Sequence, residues 1–478
     1  MRGGVSIMAL LGVVLPWAAE AACTPSSQSV STGVTGPVTA DGGSITITGT
    51  GAVSGSANGI DLTACGETSV GNAGSVTASG RGVAVVAYTL GTLTNTGAIT
   101  GGSTGVSSAG TITQFTNGGN VTATGKGTVS GFSNTGSVGT LTNSGTIRSG
   151  GYGVINTGGT LGSVTNTGSI IGGTAGLREN GGSITTLSNT GVVSGGSFGI
   201  RLSGATLGGL NNGASITGTR YGVSNSGGTV GPLVNSGTIS SATAIYSGGA
   251  GAAIGAVTNT GTVSGNVTVQ NQNLAISGGS GLVFGTLTNG AITVSNGNLA
   301  LTGNQMLDQD VNVNGGAGTM STTGVLRMSA RHLVTGAVSL SSGTFDVLAA
   351  GAATGQYGGL SVTGAVTLAG GLALDLTGGY ALSKGDTFDL IDDYSSISGN
   401  FVGLAVNGAS CAGLAANQWR CAVGGGAVAT IAAVTVASQL DLVVQDVPEP
   451  ASFGMFAAAL AGLAWMTPRL SPRRQRRS

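Results

Sequence analysis

A ladder of asparagines at a fixed step constrains this chain more than any other feature. Asn72 and Asn95 lie 23 residues apart, and Asn143, Asn166, Asn189, Asn212 and Asn235 follow one another at the same step. Glycines keep pace with them: Gly59, Gly82 and Gly105, then Gly153, Gly176, Gly199 and Gly222. Each is followed by a branched apolar residue, namely Ile60, Val83, Val106, Val154, Leu177, Ile200 or Val223. Self-similarity at this period marks stacked repeats, in which one unit buries its apolar residues only against the next.

A single repeat, residues 187–209, reads LSNTGVVSGGSFGIRLSGATLGG. Its apolar clusters, Val192-Val193, Phe198 to Ile200 and Leu207, are separated by Gly, Ser, Asn and Thr. They are too short for helices and are bounded by turn formers, so they read as short strands. Two or three such strands with their turns fill one coil of a parallel β-helix, stacked about 4.8 Å from the next. Glycine makes up 94 of 478 residues, which suits a chain that turns several corners per coil, because glycine adopts positive φ without steric cost. Asparagine tolerates the same region, and its amide can bond to the equivalent amide one coil above. Thr, Val and Ile fill the strands because branched side chains pack well on a pleated surface.

The ladder slips once. Asn117 comes 22 residues after Asn95, and Asn143 comes 26 after Asn117, with Gly127 showing the same slip between Gly105 and Gly153. This predicts an outward-looping insertion near 128–142. Beyond Asn235 the ladder loosens, with Asn259 24 residues on and Asn289 30 further. The expectation is an all-β protein whose parallel β-helix domain occupies 22–300. Its regular coils would begin near residue 36 and number roughly ten, a rod of about 50 Å. From about residue 301 longer alternating stretches appear, such as Thr344 to Leu348 and Leu372 to Leu376. They predict half-buried strands in a C-terminal cap or small sandwich over 301–446, holding a Cys411–Cys421 loop with Trp419.

Charged residues are only 7% of the chain and net charge is zero. Residues 42–305 carry Lys or Arg at 81, 126, 148, 178, 201 and 220 against Asp61, Glu67 and Glu179, whereas residues 306–446 are acidic. Neither half carries a basic stripe, which argues against a nucleic-acid partner. The in-phase apolar positions argue against disorder.

The ends of the chain differ in kind from the repeats. Arg2, the apolar run Val5 to Leu15, and Ala19-Glu20-Ala21 read as a secretory signal over residues 1–21, with cleavage after Ala21. Glu20 stands where a lipobox needs an aliphatic residue, so Cys23 does not mark a lipoprotein. An even number of cysteines in an exported chain predicts two disulfides. The sequence-local sets are Cys23 with Cys65 and Cys411 with Cys421; four unpaired buried thiols are the alternative. At the other end Pro448-Glu449-Pro450 precedes an apolar run, 451–466, and then Arg469, Arg473, Arg474, Arg476 and Arg477. An apolar segment followed by arginines is a stop-transfer arrangement, with the arginines held cytoplasmic, and the run is at the short limit for a single spanning helix.

This order of Pro-Glu-Pro, apolar run and arginine cluster resembles the PEP-CTERM sorting signal. The resemblance covers about 447–478. It implies an exosortase-type processing partner, transient insertion in the inner membrane, and deposition at the surface or in the matrix of an exopolysaccharide-producing Gram-negative bacterium. An uncleaved membrane anchor is the competing expectation. The repeats also resemble the passenger β-helices of autotransporter and haemagglutinin-type adhesins, through runs such as Asn166-Thr167-Gly168-Ser169-Ile170. An autotransporter ends in a membrane β-barrel, and this chain ends in an apolar run and arginines.

Candidate chemistry is sparse. Asp310-Val-Asn312-Val-Asn314-Gly315 matches the first half of a calcium loop, but the twelfth position is Ser321 rather than Glu. Asp386, Asp389, Asp392 and Asp393 form the densest acidic cluster and read as a strand edge with exposed carboxylates. Arg178 and Arg201 should stack on adjacent coils of one face, with Glu179 beside the first and Ile155, Ser107 and Ser224 at equivalent positions. No paired carboxylates fall within the regular coils, so acid–base hydrolysis lacks its players, and His332 has no partner that sequence can identify. The sequence therefore assigns no catalytic, cofactor or metal residues. Its functional expectation is an exported structural or adhesin-like protein, with exopolysaccharide or a neighbouring cell surface as its counterpart. A polysaccharide-processing enzyme on the same scaffold is the alternative, and a passive matrix component the third reading. Few aromatic residues are present to form sugar-stacking platforms.

Overall fold

The computed structural model describes residues 25–447 apart from 41, 63–65 and 425–426. The chain winds as a parallel β-solenoid of three faces. One coil shows the pattern. Thr160–Asn166 forms face A, Ser169–Gly172 face B and Ala175–Asn180 face C. The next coil repeats it as Ser183–Asn189, Val192–Gly195 and Phe198–Ser203. Every residue pairs in parallel with its counterpart 23 positions later, as in Thr160 with Ser183, Ser169 with Val192 and Ala175 with Phe198. Alternation sends Leu161, Val164, Ile170 and Leu177 inward, where all are fully buried. The core is thus a column of branched apolar residues running the length of the rod.

The asparagine ladder lies inside that column, at the end of each face A strand. Each side-chain Nδ2 donates to the Oδ1 of the next asparagine at 2.7–2.9 Å, in one line from Asn72 through Asn95, Asn117, Asn143, Asn166, Asn189, Asn212 and Asn235 to Asn259. The same Nδ2 also donates to the first carbonyl of the face B strand one coil on, as Asn166 does to Val192 at 3.1 Å. All nine amides are buried.

The in-phase glycines do a different job from the glycines at the corners. Gly176 does not adopt positive φ. A Cβ there would lie 2.8 Å from Val193 Cγ1 and 2.9 Å from the carbonyl of Gly199, so this ladder exists to let faces B and C close around the core. The left-handed corner is a second series, Gly158, Gly181, Gly204 and Gly227, with φ of 57–72° between faces C and A.

The register slip also falls elsewhere than expected. Thr104–Ser108 pairs with Ser130–Asn134, which puts Gly131 rather than Gly127 next to Gly105. The extra residues occupy the corner 124–129, where the preceding coil needs only 102–103.

The solenoid does not stop near residue 300. Face A continues as Leu299–Thr302, Thr319–Thr322, Ala337–Leu340, Ala365–Leu368 and Ser396–Gly399, all in parallel. Faces B and C continue to Gly403–Val406 and Thr387–Asp392. The rod has about 15 turns rather than the ten expected, so it is roughly 70 Å long at the interstrand spacing. The later coils escaped detection because their lengths vary and they carry no asparagine ladder, while their inward alternation persists. Apart from isolated bridges at Gly279–Asn304 and Ala349–Tyr357, antiparallel pairing begins only beyond them. Gln439–Asp446 pairs with Thr387–Asp392 and with Ala427–Val436, which carries Gln418–Gly424 and then Ala412–Ala415. In this closing sheet Cys411 is disulfide-bonded to Cys421, and Trp419 is buried. Among the described residues the only helical element is a short 3-10 turn, Asn314–Gly316, and no helix is long and apolar enough to cross a membrane. The apolar helix expected over 451–466 lies outside the described residues, as do Cys23, Cys65 and the signal-cleavage residues Ala19 and Ala21.

Three substitutions test this account. Asn189→Ala removes the acceptor of Asn166 and the donor to Asn212 inside the core, and should cost about 2–4 kcal/mol. Gly176→Ala should cost more than Gly181→Ala, which has open space and only an unfavourable φ of 70°, worth about 1 kcal/mol. Urea-unfolding midpoints of the three variants check both the size and the order.

Candidate functional site: an aromatic and arginine patch on face C

Strand alternation separates neighbours in sequence to opposite sides of face C. Arg178 points outward and Glu179 inward. On the outer side, two columns stand side by side. One runs Tyr152, Ala175, Phe198, Tyr221; the other runs Ile155, Arg178, Arg201, Ser224, Tyr246. Coil stacking thereby gathers scarce aromatics into one place. Phe198 and Tyr221 stack with ring centroids 5.3 Å apart and planes 8° from parallel, and Tyr246 follows at 5.6 Å. The arginines lie over these rings. The Arg178 guanidinium is 5.1 Å from the Tyr152 ring, Arg201 is 4.8 Å from Phe198, and Arg220 is 5.6 Å from Tyr221. Arg178 Nη1 also donates to the Tyr152 hydroxyl at 2.7 Å.

Among the described residues none of these three arginines has a carboxylate within ion-pair reach. A groove of about 210 Å³ opens among Phe198, Arg201, Arg220, Tyr221, Ser224 and Tyr246. A second groove, of about 560 Å³, follows the neighbouring corner between faces B and C, past Arg148, Gly150, Gly173 and Gly196. The stacking of Arg178 and Arg201 follows from the repeat. The aromatic half of the patch went unread, although Phe198 and Tyr221 are spaced 23 apart and Arg220 adjoins Tyr221.

Beneath the patch, Glu179 is fully buried. It ends a second amide ladder, in which Asn134 donates to Asn156 at 2.7 Å and Asn156 donates to both Glu179 oxygens at 2.9 Å. The next position is Leu202, which offers no continuation. Burial pushes the Glu179 carboxyl up to about 7, against the lowering effect of Asn156 and the Gly182 N–H.

The later coils gather the charges that the sequence left scattered. Arg327 lies over Phe284 and binds Asp346 and Asp375 at 2.7 and 2.8 Å. Arg331 binds Asp389 at 3.1 Å and Asp392 at 2.8 Å, so these two members of the acidic cluster are not free edge carboxylates. Asp386 instead accepts from the Tyr380 hydroxyl at 2.5 Å. Burial raises the Asp346 carboxyl, and burial followed by Asp392 and Asp441 pushes Asp389 up to about 6, with Arg331 opposing. His332 does acquire partners: Nε2 is 3.1 Å from Asp308 and Nδ1 is 3.4 Å from Asp310. The half calcium loop is spent on one turn and on contacts with the neighbouring coils. Asp310 accepts from the Leu333 N–H, Asn312 from the Gly315 N–H and Asn314 from the Asn296 N–H. Among the described residues no group of three His, Cys, Asp or Glu is placed to hold a metal.

Residues 446–469 match the PEP-CTERM protein-sorting motif. Such signals are processed by exosortase, and the motif implies an exported, surface-directed protein, here built on a β-helix scaffold. Among curated proteins and solved structures none matches the chain. Pro448, Glu449 and Pro450 fall within the match and Arg473, Arg474, Arg476 and Arg477 beyond it; all seven lie outside the described residues.

Glu179 gives a pH dependence of definite sign. Its folded pKa of about 7 exceeds the ordinary 4.5, so the folded chain binds the proton more tightly. The resulting stabilisation is full below pH 4.5 and is lost as pH rises through 7. Glu179→Gln should flatten that part of the stability–pH curve and raise stability at pH 8, as read by urea midpoints between pH 4 and 8.

Proposed function

We propose that this chain is a structural or adhesin-like protein of the cell surface or extracellular matrix, displayed after exosortase-type processing of its tail. The match at 446–469 carries the display half of this reading. The long solenoid supports the other half, because a rod presenting the same hydroxyl and amide groups coil after coil can bind by avidity. Exopolysaccharide or a neighbouring cell in a Gram-negative setting is its counterpart, and its similarity to adhesin passengers lies in the repeats. The reading is non-enzymatic: the carboxylates brought together in the later coils, Asp346, Asp375, Asp389 and Asp392, each hold an arginine.

One observation favours the alternative, a polysaccharide-processing enzyme, namely His332 between Asp308 and Asp310. Under that reading His332→Ala would abolish turnover of a polysaccharide; under ours there is no turnover to abolish.

Display is tested by mass spectrometry of the C-terminal peptide from surface, matrix and membrane fractions. The expected result is a chain ending near Pro448–Pro450 in the surface or matrix fraction. A chain still ending at Ser478 in the membrane fraction overturns the display reading in favour of a plain anchor.

A further inference from the structure

Over residues 122–246 the outward charge is of one sign. Arg148, Arg178, Arg201 and Arg220 face out near one corner of the rod, while Glu179 is turned inward and buried. Three of the guanidiniums are held against aromatic rings rather than carboxylates, and the Nε of Arg178 is buried with no hydrogen-bond partner. Arg178 spends Nη1 on the Tyr152 hydroxyl and Nη2 on Asn180 and so braces the patch, whereas stacking fixes the planes of the Arg201 and Arg220 forks while leaving their N–H groups available, a geometry suited to binding carboxylate in bidentate fashion.

The surface beside these arginines is a track. Its floor is bare backbone at Gly173 and Gly196, where a Cβ would strike the carbonyl of the coil below. It runs along the rod axis from Thr122–Gly125 past Gly150, Gly173 and Gly196. The Phe198–Tyr221–Tyr246 groove adjoins its far end. At the interstrand spacing these coils span about 25 Å, long enough for several sugar residues laid end to end. Cations recurring on successive coils match a polymer that carries an anion on successive units. Serine hydroxyls at Ser224 and Ser226 line the same groove and can bond to sugar hydroxyls.

We propose that this track binds an anionic polysaccharide whose sugars carry carboxylates, with Arg201 and Arg220 as the carboxylate-binding groups and Phe198 and Tyr221 as their supports. The proposal deepens the surface reading by naming a ligand class. It is measured on purified protein, so its failure would leave the display reading untouched.

The test is titration of the purified full chain with alginate, with dextran as the neutral control and an oligothymidylate as the control for a generic polyanion. Alginate should bind, more weakly as salt rises, and dextran should not. Arg201→Ala with Arg220→Ala should weaken alginate binding roughly tenfold or more, since each removes charge-assisted hydrogen bonds. Arg201→Lys with Arg220→Lys, which keeps the charge but loses the fork, should recover only part of it, and Arg420→Ala, on an exposed position of the closing sheet, should bind like the parent. An unchanged urea midpoint establishes that each variant is folded. Equal binding of alginate and dextran, equal or tighter binding of the oligonucleotide, or parental affinity in the folded double alanine variant would each overturn the proposal.

Discussion

Everything in this molecule depends on one coil pairing with the next at a single register. Backbone pairing alone would tolerate slippage, because Gly, Ser and Thr recur on every face. A buried amide does not: an asparagine moved one residue along would leave its own donor and its neighbour's acceptor without partners inside an apolar core, which is costly. The Asn72–Asn259 line therefore serves as a register device for the first two-thirds of the rod. The glycines at the face B–face C corner complete it, since only a residue without Cβ lets the core valines and isoleucines reach the axis.

Register then dictates surface chemistry. Residues one repeat apart must coincide on the outside as they do on the inside, so a few substitutions in consecutive repeats become a column. The patch on face C is built in this way from Tyr152, Phe198 and Tyr221 in one column and Arg178 and Arg201 in the next. The later coils, without the amide ladder, are tied instead by Arg327 and Arg331, each bridging carboxylates from other coils. The rod is thus held in register by amides over one stretch and by arginine–aspartate clusters over another. That leaves unpaired cations mainly where the amides do the holding.

How much of this the sequence disclosed follows from the same physics. The asparagine step revealed the coil, its length and the amide-to-amide bonding, because those residues are fixed by contacts with their own copies. The extent of the rod was not legible. Beyond Asn259 the coils vary in length, and the cue became alternation alone, which a sandwich strand and a solenoid strand share. The role of the in-phase glycines was not legible, since crowding by Val193 or Ile216 is visible only once faces B and C are closed. His332 looked solitary because Asp308 and Asp310 reach it from the preceding coil. The arginine stack could be placed from spacing, but the aromatics beside it were judged by their number rather than by their phase.

The most direct test of a single continuous rod is amide hydrogen exchange across the full chain, followed by mass spectrometry. Continuous parallel pairing predicts that protection of the strands persists across residues 290–320 and on to about 406, dipping at the corner 124–129 and at exposed loops. A sharp loss of protection near residue 300, dividing a stable ten-coil segment from an independently opening C-terminal module, would contradict it.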